Sequence, residues 1–328
     1  MLIKPVIGHE EQINRFLKAR SSGRFHHAWL FEGPKGIGKA TTARNLAASL
    51  LGSSTGVDQQ GRFFVRHDGV VDKLIAGSHP DFRYLEKEEA TGAKAKQDIP
   101  VSALRQLTSF FELKPALGGY RVAIIDALDE LNPSGANALL KTLEEPPAQC
   151  VLILIYHKQS GLLPTIRSRC QKLTFEPLKE REVRAVLSET ETAGDVTDEL
   201  LKLAAGSPGI AQAYQELDSA HLISTLNEVF RTAWPQPTSI QLNRLLQIMA
   251  VSETHLDLTL HFIDHWLAEL GQQDLKPALL RLSGRVWQDI HIDAGRGSGL
   301  KLDLTERSAQ CLNRIQMMAR EFEALNAV

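Results

Sequence analysis

At 328 residues, with 43% hydrophobic and 23% charged side chains, the chain matches ordinary globular proteins and is no disordered, collagen-like or fibrous polypeptide. Thirty-seven Lys and Arg against 39 Asp and Glu leave a net charge of −2, so no basic surplus marks autonomous nucleic-acid binding. Three scattered cysteines, Cys150, Cys170 and Cys311, fit neither a disulfide framework nor a CxxC zinc spacing and point to a reducing compartment.

The length allows two or three domains. The opening MLIKPVIGHEEQ meets acidic residues before any long apolar run, and no later stretch reaches the length of a membrane span, so a cytoplasmic location is expected. Apolar runs with β character recur between helical segments in the first half: Ala28 to Phe31, Arg121 to Ile125 and Val151 to Tyr156. Strands that are apolar throughout are buried on both faces, which predicts a parallel sheet covered by helices. Residues 61–97 follow no period and end in the polar run EKEEATGAKAKQ, so a mostly irregular insertion with an exposed loop is expected there.

From about Pro177 the pattern turns helical. Gly206-Ser207-Pro208-Gly209 punctuates one small helical unit. Amphipathic helices follow over 239–250, 253–270, 275–292 and 304–325, with breaks at Gln236-Pro237, Gly271-Gln272 and the glycine-rich run 295–299. The expected plan is therefore an α/β domain over 1–175, a small helical domain over 176–215 and an all-α domain over 216–328.

The chemistry-bearing signal follows the first strand. Gly33-Pro34-Lys35-Gly36-Ile37-Gly38-Lys39 precedes the helix sequence ATTARNLAASLL, giving strand, glycine-rich loop and helix in order. Glycines let the backbone form a nest whose N–H groups face a phosphate, and the helix N-terminus and Lys39 add positive charge there. The position after Lys39 requires a Ser or Thr hydroxyl to bind magnesium, but Ala40 occupies it. Thr41 lies about 100° further round the helix. The strand ending in Asp126 supplies the metal-side carboxylate, while Ala127 follows it, and Asp129 and Glu130 read as first-turn acids that favour a helix dipole. The site is thus expected to bind a nucleotide weakly, if it binds one, and not to hydrolyse it.

The run NALLKTLEEPP (137–147) and PTIRSRC (164–170) resemble the sliding-clamp loader ATPases of the AAA+ group, specifically the loader subunits of bacterial DNA polymerase III. IGHEEQ, AWLF, GSHPDF (77–82) and GYRVAIID extend the resemblance over most of residues 6–215. The resemblance implies an AAA+ α/β domain, a helical lid and a helical collar that oligomerises. It also implies a pentamer in which ATP-hydrolysing gamma/tau subunits are flanked by a delta subunit and by a rigid stator, loading a sliding clamp onto primed DNA. In that family a glutamate follows the strand aspartate and orients the attacking water; Ala127 cannot. Where hydrolysing members carry GSxR in the lid, this chain has Gly206-Ser207-Pro208-Gly209, and where they carry a sensing threonine it has Tyr156 and His157. These departures favour the stator. Ser168-Arg169-Cys170 matches the family's SRC motif, which makes Arg169 an arginine finger toward a neighbour's ATP. Cys170 is expected to be buried and inert. Many relatives hold zinc with four cysteines ahead of the HPD segment, whereas residues 51–78 contain none, so no zinc is expected and His67 and His79 are read as turn or surface residues.

The alternatives are an ATPase acting in cis through Lys39 and Asp126, and a DNA-binding regulator, which the near-neutral charge disfavours. His261 and His265, four apart on a helix, lack a third ligand and read as a solvated face. Trp29, Trp234, Trp266 and Trp287 are expected in packing or at a subunit interface, and Leu139, Leu140 and Leu143 as core. Nothing assigns catalysis to His26 and His27.

Overall fold

The computed structural model describes residues 3–23, 25–86, 99–131, 133–157, 162–190, 196–217, 220–272, 277–300 and 303–326. The elements run α1 (Glu10–Ser21), β1 (Ala28–Glu32), α2 (Lys39–Leu50), β2 (Thr55–Val57), β3 (Phe63–Val65), α3 (Gly69–Ile75), β4 (Phe82–Glu86), α4 (Val101–Glu112), β5 (Arg121–Asp126), α5 (Pro133–Glu144), β6 (Cys150–Tyr156), α6 (Pro164–Arg167) and β7 (Gln171–Thr174). They continue as α7 (Glu180–Ser188), α8 (Asp198–Ala204), α9 (Pro208–Glu216), α10 (Ala220–Asn227), α11 (Ser239–Met249), α12 (Glu253–Gly271), α13 (Pro277–Leu300) and α14 (Leu304–Asn326). Two compact units result: Met1–Glu189 with Gly206–Gly209, and Thr190–Ala205 with Ile210–Val328. The segment expected as a lid, 176–215, contributes residues to both.

In the first unit five parallel strands lie in the order β4-β5-β6-β1-β7. Side chains alternate across a strand, so each apolar strand feeds two cores. Trp29, Phe31, Val122, Ile124, Ile153 and Ile155 pack with Phe16 of α1, Leu46 of α2 and Leu74 of α3. Ala28, Leu30, Ala123, Ile125, Leu152 and Leu154 pack on the other face with Leu107 and Phe111 of α4 and Leu139 and Leu143 of α5. Leu140 is partly buried against this second core. Parallel register brings the strand ends to one edge, with Glu32 opposite Tyr156 and Asp126 opposite both Ile155 and Glu86.

The expected irregular insertion over 61–97 is corrected by the fold. Its described part contains β3, α3 and β4, and β4 is a strand of the main sheet; the end of the segment, 87–97, lies outside the described residues. β4 carries no clear strand pattern because it is an edge strand, where only Phe82 is buried and Arg83 and Glu86 are exposed. β7, the other edge, buries only Leu173 and was equally silent. β2 and β3 pair as an antiparallel hairpin, and a Cβ at Gly56 would meet the Phe64 ring at 2.8 Å, so a side chain there would have to displace that ring. His67 is exposed and pairs with Asp72 at 2.7 Å. His79 does sit in a turn, but it is buried rather than on the surface, with Nδ1 accepting the Asp81 N–H at 3.2 Å.

The GSHPDF motif earns its place through Asp81. Fully buried, its carboxylate accepts the N–H groups of Ala116 and Leu117 at 2.8 and 2.9 Å and lies 3.4 Å from the Arg121 guanidinium. Arg121 is itself buried, covers the Phe110 ring at 4.6 Å and donates to Phe110 O and Lys114 O. This network shapes the turn into β5 and so sets where Asp126 emerges.

In the second unit the described residues outside the connections are helical. Side-chain caps explain the starts: Thr197 accepts from Leu200 N–H, Ser252 from His255 N–H, and Thr238 forms a reciprocal pair with Gln241. The break expected at 295–299 is absent, since α13 runs to Leu300. Glycine weakens a helix by about 1 kcal/mol per residue without forbidding it, whereas proline would have ended it. Phe230, Trp234, Trp266 and Phe322 form one aromatic cluster, and the Tyr214 hydroxyl donates to Leu258 O at 2.8 Å. Trp287 is 44% exposed and its indole N–H donates to Asp264. His261 and His265 are half-buried on α12 rather than on a solvated face, and burial holds the His261 pKa below its usual value. Among the described residues no cluster of His, Cys, Asp or Glu is placed to hold a metal, and no helix is long and apolar enough to cross a membrane.

Candidate functional site

β1 delivers the chain at the C-terminal edge of the sheet into the loop Gly33–Gly38, and α2 begins at Lys39. At Gly33 a Cβ would lie 2.3 Å from Phe175 O, so no other residue fits. Gly36 and Gly38 have φ of +78° and +102°, the region open to glycine. Gly38 caps α2, whose first turn carries no acid, so the positive end of the helix faces the loop uncompensated. These features make the loop an anion cradle.

Lys39 is turned onto its own loop. Its side chain is buried, and Nζ donates to Gly33 O at 2.7 Å and Pro34 O at 2.5 Å. Burial pulls the ammonium pKa down to about 8, against the opposing pull of the Asp129 and Asp126 carboxylates. His9 Nε2 donates to Ile37 O at 2.7 Å, which requires the proton on that nitrogen because a carbonyl only accepts. Burial lowers the His9 pKa despite that bond and the nearby Glu10 and Glu182. Gly38 O accepts from the N–H and hydroxyl of Thr42 at 2.9 and 3.0 Å.

The metal side is occupied by protein groups. Tyr84 of β4 donates its hydroxyl to Asp126 Oδ2 at 2.5 Å, and Arg44 of α2 donates to the same hydroxyl at 2.6 Å while covering its ring at 4.7 Å. Burial and the Asp126 charge push the phenol pKa up, so the hydroxyl stays a donor. Ala40 packs its methyl against the first core and offers no oxygen. Asp129 is no free dipole partner, correcting the sequence expectation: it accepts from the His157 N–H at 3.1 Å and lies 3.3 Å from His157 Nδ1. Burial acts to raise the Asp129 pKa, but the hydrogen bonds and charge of His157 outweigh it and hold it below the usual value. The residues present therefore fit a phosphate group through Gly33, Gly36, Gly38 and Lys39, and fit a magnesium ion poorly, since Ala40 supplies no hydroxyl and Asp126 is already hydrogen-bonded through Oδ2.

Arg169 follows α6 at the surface. Its guanidinium donates to Thr165 O at 2.9 Å and pairs with Glu144 at 3.0 Å, and its side chain is 36% exposed. The neighbouring Arg167 instead joins Lys172 on Glu32, at the end of β1. Cys170 is half-buried rather than buried, and desolvation pushes its thiol up to about 12, far from a reactive thiolate. The sequence brought Gly33, Gly36, Gly38, Lys39 and Asp126 to this edge. Tyr84 and Arg44 carried no sequence signal because each reaches the site through tertiary register, whereas His9 lies in the IGHEEQ run and His157 at the sensing-threonine position, and only the fold shows which groups those two histidines meet.

Comparison with known proteins matches residues 8–179 to the family described as DNA polymerase III, delta subunit. The chain is 39% identical to DNA polymerase III subunit delta' of Pseudomonas aeruginosa over 195 residues, 57% of this chain and 55% of that protein, so the match spans about half of that relative's length. It is 31% identical to the Escherichia coli subunit delta' over 263 residues, 80% of this chain and 73% of that one. Subunit tau of Salmonella typhimurium matches at 33% over 179 residues, 55% of this chain and 26% of tau. A Thermotoga maritima structure described as a DNA polymerase III gamma subunit-related protein aligns over 94% of this chain and 99% of its own, at 17% identity and a TM-score of 0.46. With its phosphate-loop edge and a family match that takes in all five strands of the parallel sheet, the chain belongs to the DNA polymerase III delta subunit family, in its delta-prime branch.

Proposed function

We propose that the chain is a non-hydrolysing stator subunit of a cytoplasmic clamp-loading complex. In this reading it assembles with gamma/tau ATPase subunits and a delta subunit, and shares in loading a sliding clamp onto primed DNA. The carrying observation is the Tyr84–Asp126 hydrogen bond beside Ala40, which leaves the metal side of the loop with no hydroxyl and with a carboxylate already engaged through Oδ2. ATP or ADP binds weakly at most, through the loop N–H groups and Lys39, and no hydrolytic step runs in cis. Arg169 acts in trans. Its guanidinium, now spent on Thr165 O and Glu144, is exposed enough to swing to the γ-phosphate of a neighbour, where it stabilises charge in the transition state.

The test is Arg169→Ala in a reconstituted loader. An arginine finger is worth roughly 10³–10⁵ in rate where one has been measured. Clamp- and DNA-stimulated ATP turnover should fall at least tenfold while assembly persists; unchanged turnover rejects the assignment. Magnesium-dependent hydrolysis by the isolated chain, abolished by Lys39→Ala, would instead establish the cis ATPase.

A further inference from the structure

The two loop carbonyls not yet accounted for, Lys35 O and Gly36 O, are both taken by one distant segment. Ser207 Oγ donates to Lys35 O at 2.9 Å, and the Gly209 N–H donates to Gly36 O at 2.9 Å. The segment is itself anchored, since Leu178 N–H donates to Gly206 O at 2.9 Å. Two of its residues have no space for a side chain. A Cβ on Gly206 would meet Leu178 O and Pro177 Cβ at 2.6 Å, and one on Gly209 would meet Gly36 Cα at 2.9 Å and Gly36 O at 3.1 Å. Ser207 and Pro208 are buried.

We propose that Gly206–Gly209 is a built-in latch that fixes the glycine-rich loop without any ligand. The physical argument is one of satisfied groups and close approach. A loop of six residues with two left-handed glycines has many alternatives open to it, and its conformation holds only where its backbone groups find partners. Lys39, His9 and Thr42 serve the loop from its own side of the sequence. Ser207 and Gly209 come from about 170 residues away and close its outer half, Lys35 and Gly36. Glycine at 209 is what lets two backbones approach to hydrogen-bonding distance. The latch goes beyond the stator reading, because it concerns the free chain whether or not Arg169 serves a neighbour.

Trypsin reads the latch directly. Lys35 is exposed, and the Lys35–Gly36 bond must leave its turned conformation to enter a protease cleft. In the full-length chain without nucleotide, Gly209→Ala should speed cleavage after Lys35 at least tenfold. Ser207→Ala should speed it several-fold, and Ser207→Thr, which keeps the hydroxyl, should stay near the wild-type rate. Amide exchange at Gly209, followed by NMR in the Ser207→Ala chain, should accelerate in parallel while amides of β5 and β6 keep their protection. Should Gly209→Ala fail to fold, the two Ser207 variants decide alone. Wild-type cleavage and exchange in the Ser207→Ala chain overturn the latch. Because the readout is taken on the isolated chain, its failure is separate from any failure of Arg169→Ala in the assembled loader.

Discussion

Tyr84 and Asp126 stand on neighbouring parallel strands, and the Tyr84 hydroxyl lies 2.5 Å from Asp126 Oδ2. The carboxylate that the sequence marks for a metal is thereby committed to a phenol, which Arg44 holds in place from α2. Tyr84→Phe removes the donor and leaves the carboxylate short of a partner. A hydrogen bond to a charged group contributes about 1.5–3 kcal/mol, so urea unfolding should show a loss of about 1–3 kcal/mol. The same change should make ADP binding, followed by calorimetry, newly sensitive to magnesium, whereas binding to the wild-type chain should not depend on it.

Lys39 carries a stability cost with a defined pH dependence. Its pKa is near 8 in the fold, below the 10.5 of an unhindered lysine, chiefly because of burial. Between those values the unfolded chain holds the proton more tightly, so stability from this group rises as pH goes from about 8 to 10.5 and is lowest below 8. Lys39→Met removes the buried charge and also the bonds to Gly33 O and Pro34 O. Relief of the desolvation that burial imposes on the ammonium favours the variant, so it should melt above the wild type at pH 7. The gap should narrow by pH 9.5; a gap that widens with pH rejects the assignment.

Asp81 and Arg121 form a buried pair whose halves fail differently from the whole. Asp81→Ala strands the Arg121 guanidinium and the N–H groups of Ala116 and Leu117, and should cost about 3–5 kcal/mol in urea unfolding. Arg121→Met should cost less, since Asp81 keeps its two N–H donors. The double variant should fall short of the sum by about 1–3 kcal/mol, the mark of residues in one network. Additive losses would separate them.

What could be read from the residues alone follows from local chemistry. The apolar runs of β1, β5 and β6, the glycine loop ahead of a good helix former, and the periodic helices α11, α12 and α14 each carry their signal within a dozen residues. The same holds for the defects at Ala40 and Ala127, because a missing hydroxyl or carboxylate is missing in any fold. The edge strands β4 and β7 carried no such signal. A strand with one neighbour is only half buried, so polar residues interrupt its pattern.

Tertiary structure decided what those defects amount to. Asp126 looked like an available metal ligand until β4, hidden in a segment without periodicity, placed Tyr84 against it. Asp129 looked like a helix-end acid until the end of β6 brought His157 to it. Gly209 looked like punctuation until the chain laid it on Gly36, where the absence of a Cβ lets two backbones bond. Sequence determines which groups a site lacks, since that is a property of each residue. Only the fold determines which groups it has already spent, because a hydrogen bond across 42 or 173 residues depends on register and close approach that no local pattern encodes.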